Sequence, residues 1–162
     1  MCQMAGRDER RPRMRLPSKR MFNRHLTEST GQDVILFEVL EVSPGAVVHI
    51  EFVSESSPWP QGVWIAVEGM LSLDGDQRPQ FVIWTSPDRR SAELAVLATE
   101  DGLLRLYNVW DRRGTGGAAW DSQGYTSGML RTDLPDGTIE YRCNDSGADP
   151  AFDRLVFTVT VR

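Results

Sequence analysis

The chain has little of what most site chemistry is recognised by. It holds two histidines, His25 and His49, two cysteines, Cys2 and Cys143, and a single lysine, Lys19. A zinc centre built on two or more histidines would need both imidazoles, and neither has a cysteine at ligand spacing. The cysteines stand far apart and form no C-x-x-C pair, which argues against a disulfide framework. A Ser-His-Asp triad would have to use His49 without a G-x-S-x-G elbow to present the serine. No G-x-x-x-x-G-K-[ST] phosphate loop occurs, and Gly114-Thr115-Gly116-Gly117 lacks the third glycine and following helix of a dinucleotide fingerprint. No cofactor is therefore expected.

Long apolar runs are missing too. None approaches the roughly 20 residues of a membrane span. The N-terminal region carries charge without an apolar h-region, so no secretory signal is read there. The expectation is a soluble, cytoplasmic protein that does not engage the membrane.

Charge is present but unevenly placed. Residues 1–24 hold eight basic and two acidic residues, net +6, against ten basic and twenty-one acidic beyond them, net −11. This division predicts a flexible arginine-rich arm over residues 1–28 and a single folded domain over 29–162. Met14 and Met21 are alternative start positions, the second leading directly into the folded region. A basic arm can neutralise phosphates, but the acidic body repels the same polyanion, and the balance argues against nucleic-acid binding.

From Gln32 onward the pattern is strands joined by turns. Residues 34–42 and 46–53 flank Ser43-Pro44-Gly45 and read as a hairpin, with Val48, Ile50 and Phe52 on one face. Residues 63–73 and 81–84 form a second pair joined through 74–79. Residues 94–98 and 103–110 flank Glu100-Asp101-Gly102, a third hairpin signal. Residues 128–132 and 138–143 flank Pro135-Asp136-Gly137. Residues 155–161 close the chain as a β-branched strand, entered through a one-turn helix at 149–153. No stretch of ten residues free of Gly and Pro keeps a helical apolar period. About nine short strands with turns between them predict an all-β antiparallel sandwich of jelly-roll type, with a closed lipocalin-like barrel as the alternative.

The segment 104–128 stands out. Leu104, Leu106, Asn108 and Trp110 alternate onto one face and Arg105, Tyr107, Val109 and Asp111 onto the other. A long Gly-rich connection then leads to a second Trp-Asp pair, Trp120-Asp121, and to Gln123 and Tyr125. Loops of this length in a compact domain are usually functional or disordered. Tyr107, Asn108, Trp110, Asp111, Trp120, Asp121, Gln123 and Tyr125 supply flat apolar platforms beside directional hydrogen-bonding groups, which is what a sugar or other polar small ligand requires. The same residues also fit a second reading, in which a tryptophan packs under its own loop and Asp111 and Asp121 pair with Arg112, Arg113 or Arg131.

The primary functional expectation is a non-catalytic binding module. A small acid/base enzyme, an isomerase, cyclase or hydrolase using Asp111, Asp121 and Tyr125, is the first alternative. A protein-interaction or self-assembling domain, docking a partner or second copy through an edge strand or through Ser57-Pro58-Trp59-Pro60, is the other. No metal site is expected. The acidic turn residues Asp74, Asp76, Asp145, Asp149 and Asp153 are the candidates calcium would use, but neither loop matches the EF-hand spacing, and turns favour these side chains for their own backbone bonds.

Overall fold

The computed structural model describes residues 15–146 and 149–162. Residues 1–14 of the expected arm, with Cys2 and Met14, lie outside the described residues.

The described chain runs β1 (Met21–Phe22), α1 (Arg24–Thr30), β2 (Ile35–Glu41), β3 (Val47–Glu55), β4 (Gln61–Leu73), β5 (Asp76–Trp84), β6 (Ser91–Trp110), β7 (Asp121–Ser122), β8 (Gly128–Asp133), β9 (Ile139–Asn144) and β10 (Leu155–Val161). It is all-β, with one two-turn helix, and no described helix is long and apolar enough to cross a membrane. The strands run β2-β8-β9-β10-β3-β6 and β6 pairs again with β2, so six strands close into a barrel. Further strands extend it: β1 lies on β2, β7 on β6, and β4 and β5 continue outward from β6. This architecture fits the closed-barrel alternative more closely than the expected sandwich.

The closure depends on β6, whose 20 residues far exceed a typical strand. Its first half pairs with β3, from Glu51↔Ser91 to Val47↔Ala95. Its second half pairs with β2, from Glu41↔Leu103 to Glu38↔Leu106. Two expected hairpins are corrected by this arrangement. Asp101-Gly102 does not reverse the chain: Gly102, at φ +71, kinks one continuous strand. Local bonds hold the kink, since Thr99 Oγ1 accepts from the Gly102 N–H at 2.9 Å and Asp101 Oδ1 from the Leu103 N–H at 3.1 Å. Ser43-Pro44-Gly45 turns as expected, with the Ala46 N–H donating to Ser43 O. It works as a corner, however, because β2 and β3 pair with β6 in succession and not with each other.

The hairpin at 135–137 forms as read, and the one after residue 73 forms with a shorter connection than expected, because 76–79 belong to β5 and not to the linker. Asp74 and Gly75 both have positive φ, 51° and 86°, giving a two-residue turn that suits strand twist and lets β5 begin at Asp76. Pro135-Asp136-Gly137 joins β8 to β9, closed by Leu134 N–H donating to Thr138 O at 2.8 Å. Residues 149–153 are not helical, and Phe152 takes φ +52 there.

Alternation fills the main core. Val48, Ile50, Phe52, Leu94, Val96, Leu104, Leu106, Met129, Tyr141, Cys143, Phe157 and Val159 are all buried in one cluster. A second cluster joins Phe37, Trp64, Ala66 and Val109 on the opposite face of β2, β4 and β6, so these strands are covered on both sides.

Part of that cover comes from residues 15–28. Leu16 packs on the second cluster, the Leu16 N–H donates to Glu68, and Arg105 Nε donates to Pro17 O at 2.9 Å. Arg105 is wholly buried, its guanidinium held also by Asp101 and Leu103 O. Arg20 reaches Glu38 at 2.7 Å. Asn23 caps α1, accepting from the Leu26 N–H at 3.0 Å, and its amide donates to Ser127 O at 2.8 Å. The hydrogen bonds and ion pairs that tie this segment down span 18 to 104 residues of sequence, so its order is invisible to local patterning.

Candidate functional site

The residues singled out in 104–128 separate into three places. Asn108 and Trp110 turn inward at one end of the barrel, into a buried polar group with Gln61, Asn144 and Asp145. Gln61 stands opposite Trp110 in the β4–β6 register. Asn108 Nδ2 donates to Asn144 O at 3.1 Å, Asn144 Nδ2 to Thr126 O at 2.6 Å, and Gln61 Nε2 to Trp59 O and to Asp145 Oδ2 at 3.1 and 3.3 Å. Ser57 Oγ closes the group on Asp145 at 2.6 Å. Trp110 Nε1, Gln61 Oε1 and Asn144 Oδ1 have no protein partner. The 123–127 turn lies against the group, with Thr126 O bonded to Asn144 and Gly124 beside the Trp110 ring.

Tyr125 belongs to a second place. It is 72% exposed and stacks on His25 of α1, with ring centroids 4.0 Å apart and its hydroxyl 3.0 Å from His25 Nδ1. Gln123 is exposed nearby at φ +51.

The third place is a surface cleft of about 280 Å³ lined by Trp64, Arg78, Gln80, Phe81, Val82, Trp84, Gly117 and Trp120. Its floor is built by sheet register: Trp64↔Val82, Gly62↔Trp84 and Ala66↔Gln80 put Trp64, Val82, Trp84 and Gln80 on one face of β4 and β5. Trp64 is nearly buried, stacked on Tyr107 at 4.6 Å and 12° and tilted against Phe37. Such ring pairs contribute about 0.5–1.5 kcal/mol each beyond area burial and fix the floor. Tyr107, the cross-strand neighbour of Trp64 on the same face, therefore supports the cleft from beside its floor. Its burial raises its pKa, with a hydrogen bond to Ser122 acting in the other direction.

The wall comes from residues 111–120, and Asp111 shapes it. Asp111 is buried, and its carboxylate accepts from the Thr115 N–H at 3.0 Å, the Thr115 hydroxyl at 3.1 Å and the Gly117 N–H at 3.1 Å. The Thr115 N–H foremost, and the Gly117 N–H after it, hold the carboxyl below the ordinary range, with desolvation opposing. Thr115 Oγ1 also accepts from the Ala119 N–H at 2.9 Å, which brings Trp120 to the cleft. Asp121 lies 3.7 Å from Arg112 and 3.5 Å from Arg113. The ion-pair reading of Asp121 thus describes its contacts, while Asp111 is engaged by its own loop.

Trp120 is 38% exposed, and among the described residues neither it nor Trp84 has a ring partner. Trp64, Trp84, Arg78 and Gln80 complete the cleft and were not singled out from sequence. The available signal was the register of the β4–β5 pair, which places Trp64 and Trp84 two rungs apart on the same face.

The acidic turns do not converge. Asp74 pairs with Arg89 and Asp76 with Arg78 at 3.6 Å, Asp145 faces the interior, and Asp149 and Asp153 are exposed. Among the described residues no three His, Cys, Asp or Glu side chains come together as a cation site. Cys143 is buried in the barrel, and desolvation raises its thiol pKa well above the ordinary value. Comparison with protein-family models, with curated proteins and with solved structures finds no match.

Proposed function

We propose that the chain is a non-catalytic binding module whose site is the tryptophan cleft between β5 and the 111–120 loop, taking a sugar or a similar polar small molecule with an apolar face. The observation that carries this reading is the pairing of two rings lacking stacking partners, Trp84 and Trp120, over a rigid Trp64–Tyr107 floor, with the Gln80 amide and Arg78 at the rim. An indole face accepts the C–H face of a pyranose ring, and amide and guanidinium groups supply directional bonds to its hydroxyls. The Asp111 carboxylate also favours binding over acid/base chemistry. Asp111 is engaged by three donors of its own loop, so it is not free to move a proton.

The test is a thermal-shift and tryptophan-fluorescence screen of the full chain against mono- and oligosaccharides, nucleotides and common metabolites. A saturable shift that Trp120→Ala removes supports the reading. Binding that survives Trp120→Ala and Trp84→Ala, or no binding by any compound, contradicts it.

A further inference from the structure

Resting on that reading, we propose that the cleft selects a sugar carrying one anionic group, a carboxylate or a sulfate, over its neutral counterpart.

The argument starts from the lining. Arg78 is the only ionisable side chain among the described residues that line the cleft, and no carboxylate lines it. The Arg78 guanidinium carbon sits over the Phe81 ring, 5.9 Å from its centroid, a cation–π contact at the cleft's lining. Its ion pair with Asp76 spans 3.6 Å between side chains 64% and 70% exposed. A pair so exposed contributes little and yields readily to a better-placed anion. The guanidinium fork matches two oxygens of a carboxylate or sulfate.

The surrounding loop adds no net charge, since in residues 111–121 Arg112 and Arg113 balance Asp111 and Asp121. The Arg78 guanidinium is therefore the cation that the described lining offers. The body beyond residue 24 is net −11. A long polyanion would meet that acidic body within a Debye length of roughly 10 Å, whereas a single charged sugar, free or at the end of a glycan, need meet only Arg78.

The experiment is calorimetric titration of the full chain with three matched ligands: a neutral hexose disaccharide, its uronate counterpart and its sulfated counterpart. The account expects one of the anionic ligands to bind about tenfold or more tighter than the neutral one. It expects Arg78→Gln to erase that preference, lowering anionic affinity by about tenfold and neutral affinity by less, and Arg78→Lys to restore part of it. Arg78 is well exposed, so neither variant threatens folding. Which anion wins identifies the group recognised. Neutral binding equal to or tighter than anionic binding, or a preference unchanged in Arg78→Gln, overturns this inference and leaves the binding reading intact. No binding by any of the three overturns this inference, and the binding reading falls with it only when the wider screen is also silent.

Discussion

Gly117 and Trp84 stand so close that a methyl group on the glycine would lie 2.8 Å from the indole nitrogen. Gly117 also has φ +88, a conformation that costs a residue with a Cβ roughly 1–2 kcal/mol. Gly117→Ala must therefore move either the loop or the Trp84 ring. The expected result is a stability loss of about 1–2 kcal/mol, together with loss of ligand affinity larger than that global change explains. Chemical denaturation and ligand titration of the same variant separate the two effects.

Asp111 is expected to control the cleft without touching the ligand. Its folded pKa is depressed, so the stability it gives the loop is fully present above the unfolded carboxylate value near 4 and is lost as pH falls through the lower folded value. Affinity at the cleft should hold from neutral pH to about pH 4 and fall below it. Asp111→Ala should weaken binding at every pH and remove that acid limb, whereas Asp111→Asn, which keeps an acceptor, should fall between. An acid limb unchanged in Asp111→Ala would assign it to other carboxylates.

Glu38 is wholly buried, accepting from Arg20 at 2.7 Å, Arg131 at 3.1 Å, the Tyr141 hydroxyl at 2.8 Å and the Val39 N–H at 2.9 Å. Glu38→Ala leaves two arginines facing a buried hole and should cost about 3–5 kcal/mol. Removing residues 1–20 takes away Arg20, the Pro17 carbonyl of buried Arg105 and the Leu16 packing. That truncation should cost on the order of 2–4 kcal/mol, read as a lower urea midpoint. Equal stability of the two chains would mean that the segment is not docked in solution.

Alkaline pH should unfold the protein through its tyrosines. Burial, then the Glu38 charge, raises the Tyr141 pKa far above its ordinary value, and burial raises that of Tyr107. The stability contributed by these neutral phenols is whole below about pH 10 and is lost as pH rises further, because only the unfolded chain can then ionise them freely. Phenolate absorption from Tyr107 and Tyr141 should appear together with loss of the sheet signal in circular dichroism, not before it.

Faces and turns were the legible part of this fold. The alternation of Val48, Ile50 and Phe52, or of Leu104, Leu106 and Asn108, depends on the two-residue period of a strand, and those side chains are buried together as expected. Strand partners were less legible. Asp101-Gly102 has the composition of a hairpin, yet the pairing of β6 with both β2 and β3 makes it a kink in one strand. The binding region was legible as a neighbourhood and not as a set of contacts. Trp120 reaches the cleft and Tyr107 supports it, but Trp110 follows its strand parity into the interior and Asp111 is claimed by backbone donors only four and six residues away. Arg78 and Trp84 are supplied by β5, whose position beside β4 and the loop is a tertiary fact.

The central claim is the location of the site, and indole N–H resonances test it most directly. The five tryptophans, Trp59, Trp64, Trp84, Trp110 and Trp120, each supply one such signal, assignable by single Trp→Phe substitutions. On titration with the tightest saccharide, the account predicts saturable shifts of Trp84 and Trp120, a smaller shift of Trp64, and no shift of Trp59 or Trp110. Shifts centred on Trp59 or Trp110, with Trp84 and Trp120 unmoved, would contradict it and move the site to the closed end of the barrel.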